Sequence, residues 1–276
     1  MNFAKGVDLT LHEGTPILSF EGVTVAFKSP GHSADRPVLS RLKLTVDEGE
    51  FICLLGPSGC GKTTLLNCVA GFQPYEGNIY YNGARIEKPG KERGVVFQEY
   101  ALFPWFTVEQ NVEFGLRVNG VQASERKERA RHYIEMVGLA GFEKHYPGKL
   151  SGGMKQRAGL ARVLANEPGI LLMDEPFAAL DEQTREKLQA ELLGLWEQQR
   201  KTCLFVTHSI QEAVYLADRV IVLQPNPARI ALDLRIDLPR LRNRHDERLL
   251  QFQSRISDAL REGERPYGEH LSVITA

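Results

Sequence analysis

Residues 51–64 decide the fold. Phe51-Ile52-Cys53-Leu54-Leu55 runs directly into Gly56-Pro57-Ser58-Gly59-Cys60-Gly61-Lys62-Thr63-Thr64. The first five residues form a continuous apolar run of the length of a buried strand. Residues Thr63 to Ala70 read as a helix. Between them, GPSGCGKT fits the pattern G-x-x-x-x-G-K-[ST], in the strand–loop–helix setting that makes the pattern a phosphate site. Glycines let the backbone fold tightly and turn its N–H groups towards one point, and the helix N-terminus adds positive partial charge there. Lys62 is then placed to reach β- and γ-phosphates, the Thr63 hydroxyl to ligate Mg²⁺, and Thr64 to start the helix beside it. Cys60 is read as filling a permissive position, not as a redox thiol.

Working outward, Ile170-Leu171-Leu172-Met173-Asp174-Glu175 is a second apolar strand, ending in two acids. Ligands of parallel sheets bind at the edge where strands end. Asp174 can therefore join the Mg²⁺ shell, and Glu175 can orient an attacking water or take its proton. Cys203–Thr207 reads as a third buried strand, followed by a helix through Ala217, and Val220–Leu223 as a fourth. Upstream, Ile17–Phe20 and Val23–Phe27 flank a Glu21-Gly22 turn. Lys28–Arg36 is a polar surface loop, and Leu39–Val46 alternates as a half-buried strand does. Ser124 and Gly138 bracket a charged helix as N-cap and stop. Glu182–Gln198 is a helix with Leu188, Leu192, Leu195 and Trp196 on one face. Apolar strands alternating with helices predict an α/β core with a mostly parallel sheet. The tail is punctuated by Pro225, Pro227 and Pro239, then carries Leu249, Phe252, Ile256 and Leu260 near helical spacing. The expected division is an N-terminal extension (1–16), a nucleotide-binding domain (17–223) with a helical subdomain near 102–160, and a tail (224–276) with one amphipathic helix.

Composition narrows the function classes. The 276 residues hold 34 Lys plus Arg against 35 Asp plus Glu, a net −1, so no global basic field exists to grip nucleic acid. The 42% hydrophobic and 25% charged residues exclude a disordered chain. No apolar run approaches the roughly 20 residues of a membrane helix, and no apolar signal core follows Met1–Lys5. The four cysteines form no CxxC pair and no Cys/His cluster, which fits a reduced, cytosolic setting.

One further stretch is more specific. Leu150-Ser151-Gly152-Gly153-Met154-Lys155-Gln156-Arg157, placed between the phosphate loop and the acidic strand end, resembles the signature motif of ABC-type ATPases. The resemblance runs from about Ile17 to Leu223. It implies a P-loop NTPase core with an N-terminal antiparallel β subdomain and a helical signature subdomain. It also makes Phe27 the aromatic that stacks on adenine, although Tyr or Trp is commoner there. Gln98, in Val95-Val96-Phe97-Gln98, matches the Q-loop glutamine, which serves the nucleotide, the Mg²⁺ shell and catalysis. Ala179-Leu180-Asp181 matches the D-loop, with Ala178-Ala179 in place of the more usual Gly-Ala. His208 matches the switch histidine. Lys62, Gln98, Glu175 and His208 are then the catalytic set, with ATP and Mg²⁺ as cofactors. Ser151, Gly152 and Gly153 precede a helical run and make a second anion site. In such ATPases two subunits pair head to tail, so that one subunit's phosphate loop and the other's signature hold each nucleotide, with two-fold symmetry.

A cassette without membrane spans implies a separate permease. Ile86–Gln98 (IEKPGKERGVVFQ), Leu102-Phe103-Pro104-Trp105, Asn111–Leu116, Tyr146-Pro147-Gly148-Lys149 and Glu212-Ala213 resemble the nitrate/sulfonate/taurine importer family, PGKERGVVFQ most nearly its taurine branch. That resemblance implies a peripheral protein on the cytoplasmic face of the cell membrane. It implies two permease subunits, an indirect partner in an extracytoplasmic solute-binding protein, and a small anionic solute. Phe103, Trp105 and Phe106 are then either a permease contact or subdomain core. An exporter ATPase remains the alternative. A soluble ABC ATPase acting on nucleic acid or ribosomes usually carries two cassettes or a long arm, and here there is one phosphate loop and one signature.

Overall fold

The structure is a computed structural model describing residues 16–27, 36–225 and 227–262. Most of the N-terminal extension and of the Lys28–Arg36 loop lies outside the described residues. The elements run β1 (Leu18–Phe27), β2 (Arg36–Val46), β3 (Phe51–Leu55), α1 (Lys62–Ala70), β4 (Glu76–Tyr81), β5 (Ala84–Arg85), β6 (Arg93–Val96), α2 (Val108–Val118), α3 (Ala123–Met136), α4 (Gly152–Leu164), β7 (Ile170–Asp174), α5 (Glu182–Gln199), β8 (Thr202–Thr207), α6 (Ile210–Leu216), β9 (Arg219–Gln224), β10 (Arg229–Arg235) and α7 (Glu247–Glu262).

Two sheets form. The larger has strand order β10-β9-β3-β8-β7-β6, parallel throughout except for the β9–β10 pair. The smaller, β2-β1-β4-β5, is antiparallel. The pleat explains how they join. Successive side chains of a strand point to opposite faces, and β3 uses both. Phe51, Cys53 and Leu55 enter one core, with α2 to α6. Ile52 and Leu54 enter a second, with α1 and the antiparallel sheet. A strand buried on both faces reads as a continuous apolar run, and all five β3 residues are fully buried.

Several local expectations change. Glu21-Gly22 is not a turn: β1 continues through it, and the register slips between Phe20 and Val23. Gly22, at φ 65°, absorbs the irregularity as a bulge. Helix α3 begins one residue before Ser124, because the Arg126 amide donates to the Gln122 carbonyl (2.9 Å) and places Ser124 inside the first turn. Gly138 does stop that helix. It sits at φ 69°, and the Leu139 amide returns to the Ile134 carbonyl. In the tail, β10 adds an antiparallel edge strand that sequence pattern did not announce.

Candidate nucleotide site

Four adjacent strands of the large sheet release their chains at one edge. β3 ends in the phosphate loop, β8 in His208, β7 in Asp174 and Glu175, and β6, two residues beyond Val96, in Gln98. Register makes this a single edge: Leu55 lies opposite Thr207, Asp174 opposite Val206, and Val96 opposite Met173. Residues separated by up to 152 positions, from Gly56 to His208, thereby share one locality.

The loop's shape depends on its glycines. A Cβ on Gly56 would lie 2.4 Å from the Leu223 carbonyl oxygen, and Gly61 sits at φ 100° with Leu39 against it. Helix α1 then starts with no side-chain cap and no acid in its first turn. By contrast α2, α4, α5 and α6 are capped by Thr107, Ser151, Asp181 and Ser209, and α3, also without a side-chain cap, carries Glu125 in its first turn. The first N–H groups of a helix need acceptors, and in α1 they follow directly on the loop. Lys62 is only 5% exposed, and its ammonium donates to the carbonyls of Gly56 (2.7 Å) and Pro57 (3.0 Å). A buried cation beside an uncapped helix start fits a phosphate anion.

The Thr63 hydroxyl donates to Asp174 Oδ1 at 3.1 Å. Burial raises the Asp174 pKa, against the lowering effect of this bond, and Glu175 raises it further. A hydroxyl and a carboxylate are the hard oxygen donors that Mg²⁺ takes. Glu175 stands at φ 44°, a left-handed conformation rare for a residue with a side chain. Its carboxylate lies 2.9 Å from His208 Nδ1. Phe27 closes β1 and is 44% exposed, so it is not a core residue. Gln98 is exposed at the end of β6.

The signature lies elsewhere. Ser151 caps α4 by accepting from the Met154 amide. The Cα positions of Gly152 and Gly153 face Tyr100, Leu180, Thr184 and Leu188, none of them in the phosphate loop.

A sequence profile described as ABC transporter matches residues 39–178. The chain belongs to the ABC transporter ATP-binding family. As an ABC ATPase it binds and hydrolyses ATP. It is 50% identical over 246 residues to an uncharacterized ABC transporter ATP-binding protein of Methanocaldococcus jannaschii, covering 89% of this chain and 91% of that one. It is 50% identical over 206 residues to the taurine import ATP-binding protein TauB of Escherichia coli O157:H7 (74% and 81% covered). To the nitrate import ATP-binding protein NrtD of Synechocystis sp. it is 48% identical over 202 residues (73% and 76%). Among solved structures, a dimeric post-hydrolysis state of the ATP-binding cassette MJ0796 bound to ADP and Pi aligns with TM-score 0.70 and 32% identity, covering 80% of this chain and all of that one.

Two features of this ABC ATPase were not found in the sequence. One is the strained Glu175 backbone, which no residue type announces. The other is a set of buried arginines in the tail, to which no motif or periodicity pointed. No described helix is long and apolar enough to cross a membrane.

Proposed function

We propose that the chain is the motor of an importer for a small anionic solute of the taurine, sulfonate or nitrate type. The observation that carries this is its identity of about one half to relatives named for taurine and nitrate import. Two copies act at the cytoplasmic face of the membrane, each against one of two permease subunits, and an extracytoplasmic binding protein delivers the solute.

ATP supplies the phosphoryl chemistry and Mg²⁺ the neutralisation of its charge. The chain's own residues hold and orient. The loop amides from Gly56 to Thr64 and the Lys62 ammonium bind phosphate oxygens. Thr63, Asp174 and Gln98 hold the cation. Glu175 orients the attacking water and takes its proton, and His208, bonded to Glu175, fixes that carboxylate. Phe27 stacks on the base. Ser151, Gly152 and Gly153 present the second anion site to the nucleotide of a paired subunit, which explains why they stand apart from their own phosphate loop.

The permease surface is the groove beside α2 and α4. Phe103, Phe106 and Phe114 pack together, with ring centroids 4.6 Å apart for Phe103 and Phe114. Trp105 projects from them at 66% exposure. Arg117 and Arg162 lie over these rings. A half-buried aromatic cluster with one exposed tryptophan, rimmed by cations, suits a protein partner.

The test is uptake. A deletion strain restored with wild type or Lys62→Ala is given labelled taurine, an alkanesulfonate and nitrate. Uptake of one solute with wild type alone is expected. No restored uptake while purified protein still hydrolyses ATP would reject the cargo class and turn the search to export.

A further inference from the structure

The tail carries three arginines at alternate positions, Arg240, Arg242 and Arg244, and each turns inward. Arg240 donates to Asp218 (2.7 Å) and lies over the Trp196 ring at 4.2 Å. Arg242, 6% exposed, donates to the carbonyls of Val214 and Ala217 at 2.7 Å, closing the C-terminal end of α6, whose last carbonyls have no helical partner. Arg244 covers the Tyr215 ring at 3.8 Å, stands 3.6 Å from the Glu186 carboxylate, and donates to Gln189 Oε1 at 2.6 Å.

From Gln189 the bonding continues inward without a gap. Gln189 is 2% exposed, and its amide nitrogen donates to Glu212 Oε1 at 2.7 Å. The other oxygen of Glu212 accepts the Thr207 hydroxyl. Thr207 Oγ1 in turn accepts the Ser209 amide at 3.0 Å. His208 lies between those last two residues. Its side chain is 63% exposed, and the contact that orients it is Glu175. The place of its ring therefore depends on backbone fixed on either side.

We propose that Arg244, Gln189, Glu212 and Thr207 are a positioning relay, through which the C-terminal strap holds His208, and with it Glu175, in the hydrolytic geometry. The inference rests on the roles given above to Glu175 and His208. The donations converge on Glu212: on one side the arginine only donates and the glutamine accepts and donates, on the other the Thr207 hydroxyl donates, and the carboxylate only accepts. Burial raises the Glu212 pKa, while the bonds from Thr207 and Gln189 favour its charged form. A buried network of this kind is costly when half satisfied, so loss of the arginine at the surface end is felt at the histidine end.

The experiment uses the full chain and MgATP, with kcat, KM and melting temperature read together. Arg244→Met keeps cover over Tyr215 but ends the donation, and Gln189→Glu sets two carboxylates face to face. Each is expected to lower kcat roughly ten-fold with KM little changed, the signature of a mispositioned group. Adding Glu212→Gln to Gln189→Glu restores every bond. The carboxylate now at position 189 accepts from Arg244 and from the amide now at position 212, and the oxygen of that amide accepts the Thr207 hydroxyl. This double variant is expected to regain most of kcat, which a merely structural role would not require. Glu175→Gln and His208→Ala are the controls. If these controls hydrolyse normally, the site reading fails and the relay fails with it. If they are inactive while Arg244→Met keeps wild-type kcat, the relay alone is overturned. The same holds if the double variant stays as slow as Gln189→Glu. Should Gln189→Glu lose its melting transition, Arg244→Met decides.

Discussion

The Thr63 hydroxyl and the Asp174 carboxylate are joined at 3.1 Å across 111 positions of sequence. This bond ties the phosphate loop to the acidic end of β7. It also holds a half-buried acid where burial works against its charge. Burial, the main cause, raises the Asp174 pKa, so above that raised value the folded state carries a desolvated charge. An acid raised in the folded state destabilises at high pH, and the penalty fades as pH falls through the raised value. Asp174→Asn is therefore expected to melt higher than wild type at neutral pH. The difference should vanish below the ordinary aspartate value of about 3.9. The same variant should lose MgATP hydrolysis. A melting difference that grows as pH falls would contradict this account.

Lys62→Ala removes the buried ammonium that bonds Gly56 and Pro57. Phosphate release should fall by at least two orders of magnitude, the scale of losing a preorganised charge in a site of this kind. Wild-type turnover in this variant would refute the phosphate-loop assignment.

Glu175→Gln keeps the shape of the side chain and its contact with His208 but loses the base. ATP binding should persist while hydrolysis stops, so the nucleotide-bound pair accumulates. Gel filtration with MgATP should show a species of twice the monomer mass, absent with ADP. A monomer under both conditions would count against a site shared between subunits.

The two tryptophans offer a contrast. Trp196 is 3% exposed, packed edge-on to Phe51 and beneath Arg240. Trp196→Ala should cost about 3–5 kcal/mol by urea unfolding. Trp105, at 66% exposure, should cost within about 0.5 kcal/mol when changed to Ala. That substitution should leave ATP hydrolysis by the isolated chain intact while lowering solute uptake in cells. Equal stability losses at both positions would refute the burial argument.

Much of this architecture could be read from residues alone, for identifiable reasons. The strands of the large sheet are buried on both faces, so Phe51–Leu55, Ile170–Met173 and Cys203–Thr207 appear as unbroken apolar runs. Their ends carry the chemistry, so motif and edge coincide. Strands β4, β5 and β6 were harder to find. They are short or half-exposed, and β4 exists because it pairs with β1, about 60 residues away in the chain. The arginine strap was not legible at all. A buried arginine is exceptional unless partnered, and its partners here come from α5, α6 and the turn before β9, which no local pattern ties to residues 240–244.

The uncapped start of α1 has a consequence beyond catalysis. Where α2, α4, α5 and α6 complete their first turn with a side chain, α1 has none, and on the function proposed above a phosphate takes that place. Occupancy then becomes a contribution to folding by mass action, about 2.7 kcal/mol at a hundred-fold excess over Kd. On that reading, the cassette is expected to be easier to unfold and degrade in a cell depleted of ATP than in one rich in it. The lifetime of the cassette is then expected to follow the abundance of its own fuel.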